Sequence, residues 1–256
     1  MSRSNPSANA PNPSARWMEW NGEKGGVRYY DKDAKVNVDV PLPFTFLLLD
    51  ELACVRGWHD ASQSGIYSNE VRDTTKDALV VKAFKGGTLA EGFYKAIKDR
   101  VNNEGGQFVA NCYVAVKLEN GTLTLCSIRF KGAALGAWME FRKAHRGSLY
   151  EKAVRITGFT EGKKGRIVFR VPTFELKDVS SDTNRDAIAL DKTLQAYLDG
   201  YLQRKTRDQA DEPANEPADD DAGYVPPSDE LDYSDIPFAW LMPYVLPALA
   251  SLSMLV

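Results

Sequence analysis

Histidine is almost missing from this chain. His59 and His145 are the only two, so a catalytic triad or a histidine-rich metal centre has little to draw on. The patterns HExxH, GxSxG, GxxxxGK[ST] and GxGxxG are absent too, which removes the usual sequence grounds for a zinc protease, an α/β-hydrolase or a phosphate loop. Trp58-His59-Asp60 is the one local candidate for a polarised imidazole, and neighbours on a strand point to opposite faces. Cysteine is scarce: Cys54, Cys112 and Cys126 are odd in number and have no CxxC spacing. Neither a disulfide framework nor a metal site is indicated, and no cofactor is expected. Buried free thiols in strands and a reducing cytoplasm are expected instead. Residues 1–15 have no apolar run and read as a flexible arm rather than a signal peptide.

What is present is strongly polarised in charge. The whole chain carries 32 Lys and Arg against 35 Asp and Glu, net −3. Residues 208–238, DQADEPANEPADDDAGYVPPSDELDYSDIPF, hold eleven of those acids and no base, and the first 15 residues hold only Arg3. Residues 16–207 therefore carry 31 bases against 24 acids, net +7. A basic body tethered to an acidic leash is the charge layout of a nucleic-acid-binding domain with a competing or partner-recruiting tail. An acidic, Pro-rich leash cannot bury enough apolar surface to offset its ordering entropy, so disorder is expected there until a partner binds.

The leash closes on Asp235-Ile236-Pro237-Phe238. This resembles the acidic tail tip of bacterial and phage single-stranded-DNA-binding proteins, which ends in an Asp-Asp-Ile-Pro-Phe-like motif and docks replication and repair enzymes. The likeness covers four residues and their acidic context. It implies that Ile236, Pro237 and Phe238 anchor a partner protein while Asp232 and Asp235 steer it. In that family the Phe is normally the last residue, whereas residues 239–256 follow it here. Residues 236–256 are uncharged and long enough to span a bilayer, but Pro237, Pro243 and Pro247 interrupt them and no base flanks them. Membrane insertion is not expected, and the role of 239–256 is left open.

Alternation predicts strands over 27–31, 35–40, 44–58, 65–71, 79–85, 108–118, 122–131, 154–161 and 166–174. In Ser127-Ile128-Arg129-Phe130-Lys131 the apolar pair faces one way and the bases the other, and Arg166-Ile167-Val168-Phe169-Arg170-Val171 repeats the arrangement. Helices are predicted over 87–102, with Leu89, Phe93, Ile97 and Val101 on one face, over 132–145, with Leu135, Trp138, Met139 and Arg142, and over 183–207, with Ala187, Leu190, Leu194, Tyr197 or Leu198, and Tyr201. The fold class is mainly β with inserted helices, α+β, and a closed Greek-key barrel with helical elaborations suits it. The resemblance makes that barrel an OB-fold, with 16–207 as the nucleic-acid-binding domain.

Sequence-independent binding of single strands needs cations along the phosphates and flat side chains on which bases stack. Lys82 and Phe84 alternate on one strand face, and Arg129, Lys131, Arg166 and Arg170 occupy polar faces of theirs. Lys163, Lys164 and Arg166 form a basic hairpin tip. Tyr30 and Trp58, with Tyr29, Trp17 and Trp20, supply aromatic surface. Against these stands the plain reading that a strand aromatic is more often core than platform and that outward bases are commonly just solvated. Trp138 and Phe93, on helix stripes, are assigned to the core. The expected function is a cytoplasmic, non-enzymatic protein, in the bacterial host cytoplasm if phage-encoded. It would coat single-stranded DNA during replication, recombination or repair and recruit replication or recombination proteins through its tail, with homo-oligomerisation left open. The alternative is a non-enzymatic protein-interaction adaptor tethered by its apolar C-terminus.

Overall fold

Strand after strand here alternates apolar with polar side chains, so each can turn one half inward and leave the other on an outer face. The computed structural model describes residues 11–204. In chain order these form β1 (Trp17–Asn21), β2 (Gly26–Asp31), β3 (Val36–Val40), β4 (Phe44–His59), β5 (Ser64–Ser68), β6 (Leu79–Ala83), β7 (Gly87–Gly92), α1 (Tyr94–Asn103), β8 (Gly106–Lys117), β9 (Leu123–Lys131), α2 (Gly132–Ala144), β10 (Ala153–Lys164), β11 (Ile167–Lys177) and α3 (Ser181–Arg204). The acidic segment 208–238, including Asp232, Asp235, Ile236, Pro237 and Phe238, and residues 239–256 lie outside the described residues. Among the described residues no helix is long and apolar enough to cross a membrane.

Hydrogen bonds order the sheet β3-β2-β1-β9-β8-β4-β5-β6-β7, with β10 branching from β4 and β11 pairing with β10. The β1–β9 pairing is parallel and the β4–β8 and β8–β9 pairings are antiparallel, so the sheet is mixed. Its path ends at β3 and at β7, which corrects the expected closed barrel. The edge of β9 that closure would use is taken by β1, and β5 to β7 carry the far end away.

β4 is 16 residues long and serves two sides of the molecule. Its first half sends Phe44, Phe46 and Leu48 into the main core with Ile128, Phe130, Val154 and Ile156. α2 runs between β9 and β10 and drops Trp138 into that core, stacked on Phe130 at 5.2 Å between ring centroids and edge-on to Phe174 at 5.5 Å. The Trp138 indole N–H donates to Glu51 Oε2 at 2.9 Å, so the ring is buried with its one polar atom satisfied. A second core joins Val55 of β4 to β5, β6, β7 and α1 through Ile66, Val81, Leu89, Ile97 and Val101. A third, smaller one lies under α3, where Leu194 and Leu198 meet Leu52, Tyr113 and Leu125.

Two expected features are replaced. The predicted helix over 87–102 is strand β7 followed by α1, because Leu79 to Ala83 offers β7 a pairing partner that a helix would forgo. Phe93 is consequently the helix N-cap and 50 % exposed, not core. After α1, Gly105 has φ +87°, and a Cβ there would sit 2.2 Å from the Trp58 carbonyl oxygen, so only glycine lets the chain pass so close to β4. β1 is an additional strand. Chain contacts begin still earlier, with Asn12 Nδ2 donating to the Tyr113 hydroxyl at 3.0 Å.

Candidate nucleic-acid interface

Residues opposite one another in a sheet share a face, and the register assembles one row from four distant segments. Lys82 of β6 faces Tyr67 of β5, Tyr67 faces Arg56 of β4, and Arg56 faces Gln107 of β8. Two residues along β8, Val109 faces Lys131 of β9; two further on, Asn111 faces Arg129, which faces Glu19 of β1, which faces Arg28 of β2. Alternation keeps Gln107, Val109 and Asn111 on one side of β8. All these side chains therefore share the outer face, and the two polar rows are about 13 Å apart at ~3.3 Å per residue. The opposite side chains of β9, Ile128 and Phe130, are fully buried in the main core.

At one end of this face stand Arg28, Arg129 and Lys131 around the Glu19 carboxylate. Arg28 donates from Nε to Glu19 Oε1 at 2.7 Å, and the Arg129 guanidinium lies over the Trp17 ring at 4.9 Å. Burial works against ionising Glu19, yet Lys131, Arg28 and Arg129 together outweigh it and hold its carboxyl below the ordinary value. At the other end the surface is aromatic. Tyr67 and Phe84 rings lie 4.6 Å apart, and Phe84 leaves 46 % of its surface exposed. Gly65 gives Phe84 its seat: a Cβ built there would be 3.3 Å from the ring. Trp58 faces that same Gly65, half-buried. Between the two ends, the Gln107 amide oxygen is buried with no hydrogen-bond partner within the protein.

The sequence-chosen residues thus fall into groups. Lys82, Phe84 and Trp58 come together at the aromatic end, and Arg129 and Lys131 at the basic end. Tyr30, 37 % exposed, shares the outer face by alternation with Arg28 but lies on β2, towards the sheet edge. Lys163 and Lys164 close β10 and Arg166 occupies the two-residue turn before β11, all three exposed. Arg170 does not join them. Its guanidinium pairs with Glu161 at 3.0 Å, donates to the Glu23 carbonyl and packs over Phe159, while its backbone N–H donates to Gly22. It fastens the β10–β11 hairpin to the β1–β2 turn.

Trp20, expected as aromatic surface, is 4 % exposed and belongs to the core. Arg56, Tyr67, Gln107, Arg28 and Glu19 were not singled out from sequence. Arg56 alternates with Trp58 in Cys54-Val55-Arg56-Gly57-Trp58, and that pattern alone would have nominated it. His59 is polarised, though not by Asp60: its Nε2 contacts Glu104 Oε2 at 3.1 Å and its Nδ1 contacts Ser62 Oγ at 2.6 Å, tying the β4–β5 turn to the end of α1. Cys54, Cys112 and Cys126 are buried free thiols. Among the described residues no three His, Cys, Asp or Glu gather as a metal site. No family model, curated protein or solved structure matches the chain.

Proposed function

We propose that this chain is a non-enzymatic single-stranded-DNA-binding protein whose outer sheet face takes the strand. Support comes first from that face. Arg56, Lys82, Arg129 and Lys131 supply separated positive charges, and Tyr67, Phe84, Trp58 and Trp17 supply rings beside them, the combination that sequence-tolerant binding of single strands requires. The Glu19 carboxylate stands among the cations of the basic end, held ionised by them. The observation that carries the reading is the register that sets Lys82, Tyr67, Arg56 and Gln107 in one row and Asn111, Arg129 and Glu19 in the next polar row.

We also read β4, β8, β9, α2, β10 and β11 as a partly open OB-type barrel, its closing edge on β9 taken by β1, with elaborations. The order supports this: a long first strand pairs with the second and fourth, the third pairs with the second, a helix joins third to fourth, and the fifth pairs with the fourth. In such folds oligonucleotides lie on strands two and three and against the loops joining one to two and four to five. Here those places correspond to β8 and β9, to the β5–α1 insertion bearing Tyr67, Lys82 and Phe84, and to the basic β10–β11 tip. The acidic segment 208–238 would then recruit replication or recombination proteins through Ile236, Pro237 and Phe238.

The test is binding of labelled single-stranded and duplex oligonucleotides to the full chain at two salt concentrations. Tighter binding to the single strand, weakening steeply with salt, is the expected result. Affinity for neither, or equal affinity unmoved by salt, would favour the protein-adaptor alternative.

A further inference from the structure

We infer that the outer face of β8 and β9 beneath α3 is a covered continuation of the strand-binding surface, opened when the bound strand displaces the helix. This rests on the strand-binding reading above. The cover begins at the polar row through Arg129 and Asn111, where Arg129 is half-buried while Asn111 and the Leu52 that faces it are fully buried. In the next row Ser127 faces Tyr113, and Tyr113 faces Asp50 of β4. Leu194 and Leu198 of α3 seal it by packing on Leu52, Tyr113 and Leu125. Residues before β1 seal the other side, with the Ala15 N–H donating to Leu125 O and the Ser127 N–H to Arg16 O.

The chemistry under this cover differs from that of the main core. Asn111 Oδ1, Ser127 Oγ and Ser14 Oγ are buried there without a hydrogen-bond partner in the protein, and each such atom lowers the stability of the closed seam. The Tyr113 hydroxyl and the Asn111 amide both donate to the Glu70 carboxylate, at 2.6 Å each. A ring, an amide and a hydroxyl beside Arg129 and Trp17 are what a base needs for stacking and edge contacts. α3 can leave without breaking any strand pairing. Its cluster has five buried side chains against eighteen in the main core. Its polar ties include Gln195 Nε2 to Asp50 Oδ2 at 3.0 Å, Arg72 to Gln195 Oε1 at 3.1 Å, and the Glu70 N–H to the Tyr201 hydroxyl at 2.9 Å. An element so held belongs to the low-stability end of a fold, where ligands shift populations.

The test is amide hydrogen exchange of the full chain with and without an oligothymidylate, with occupancy read by fluorescence anisotropy in the same buffer. At saturation, peptides of α3 are expected to exchange about fivefold faster or more, while those holding Arg129 and Lys131 slow. The Leu194→Ala variant, which loosens the helix seat, should bind the oligothymidylate about threefold tighter or more if the strand must move α3. Unchanged or slowed exchange of α3 at full occupancy, or a folded Leu194→Ala variant that binds no tighter, overturns the covered surface and leaves the open groove standing. Should Leu194→Ala not fold, the exchange of the natural chain decides. No anisotropy change at any protein concentration overturns both this inference and the strand-binding reading.

Discussion

The two faces of β9 divide the labour of the molecule. Cys126, Ile128 and Phe130 point inward and are wholly buried, while Arg129 and Lys131, between and beside them in sequence, stand half-exposed on the outer face. The inward set meets Trp138, Phe46 and Val154, so its chemistry is packing. The outward set meets Glu19, Trp17 and the row through β8, so its chemistry is charge and aromatic surface. Strand alternation lets one segment hold the fold together on one side and present a cationic, aromatic surface on the other.

The sharpest way to break this division is from inside. Trp138→Ala removes the ring that Phe130, Phe46, Phe141 and Phe174 surround, and should cost about 3–5 kcal/mol of stability, read by denaturant unfolding. A loss below about 1 kcal/mol would place the main core elsewhere. From outside the effect should be the converse. Arg129→Glu with Lys131→Glu is expected to weaken single-strand binding about thirtyfold or more at low salt while Tm moves by only a few degrees. A large fall in Tm would mean that the outer face also carries the fold.

Phe84→Ala tests the aromatic end, where removing one stacking surface should cost roughly 1 kcal/mol or more of binding, about fivefold, with little change in unfolding because the ring is nearly half exposed. The smallest effect concerns Glu19. Neutralising it in Glu19→Gln removes a negative charge from among Arg28, Arg129 and Lys131 and should tighten binding about threefold. The pH dependence has a fixed sign. Since the folded value of Glu19 lies below its ordinary 4.5, the ionised carboxylate stabilises the fold above that ordinary range. This contribution is lost as pH falls through the lowered folded value, so Glu19→Gln should flatten acid unfolding in that window.

Much of the fold could be read along the chain, because alternation and turn residues act locally. Strands β2 to β6 and β8 to β11, and helices α2 and α3, lie where periodicity places them. β7 was hidden because Leu89, Phe93, Ile97 and Val101 are spaced as on a helix, and only pairing with β6 decides for a strand. β1 was hidden because Trp17 and Trp20 are aromatic on both faces, and which one turns inward depends on its neighbours β2 and β9. The candidate site was legible in its members more than in its assembly. Arg129, Lys131, Lys82 and Phe84 follow from alternation, but the meeting of Arg56, Tyr67 and Gln107 follows from register between segments up to about fifty residues apart, which local sequence does not encode. Arg170 shows the same limit, since its engagement by the Glu23 carbonyl depends on where the hairpin lands.

If the outer face binds single strands through its cations, the salt dependence of binding must carry their signature. The logarithm of the single-strand binding constant is measured against the logarithm of salt concentration for the natural chain and for Arg129→Ala with Lys131→Ala. Each lost phosphate contact should reduce the steepness of the line by about 0.7, so the double variant is expected to be shallower by about 1.4. Parallel lines for the two proteins, with both folded, would contradict the account and move the nucleic-acid surface off this face.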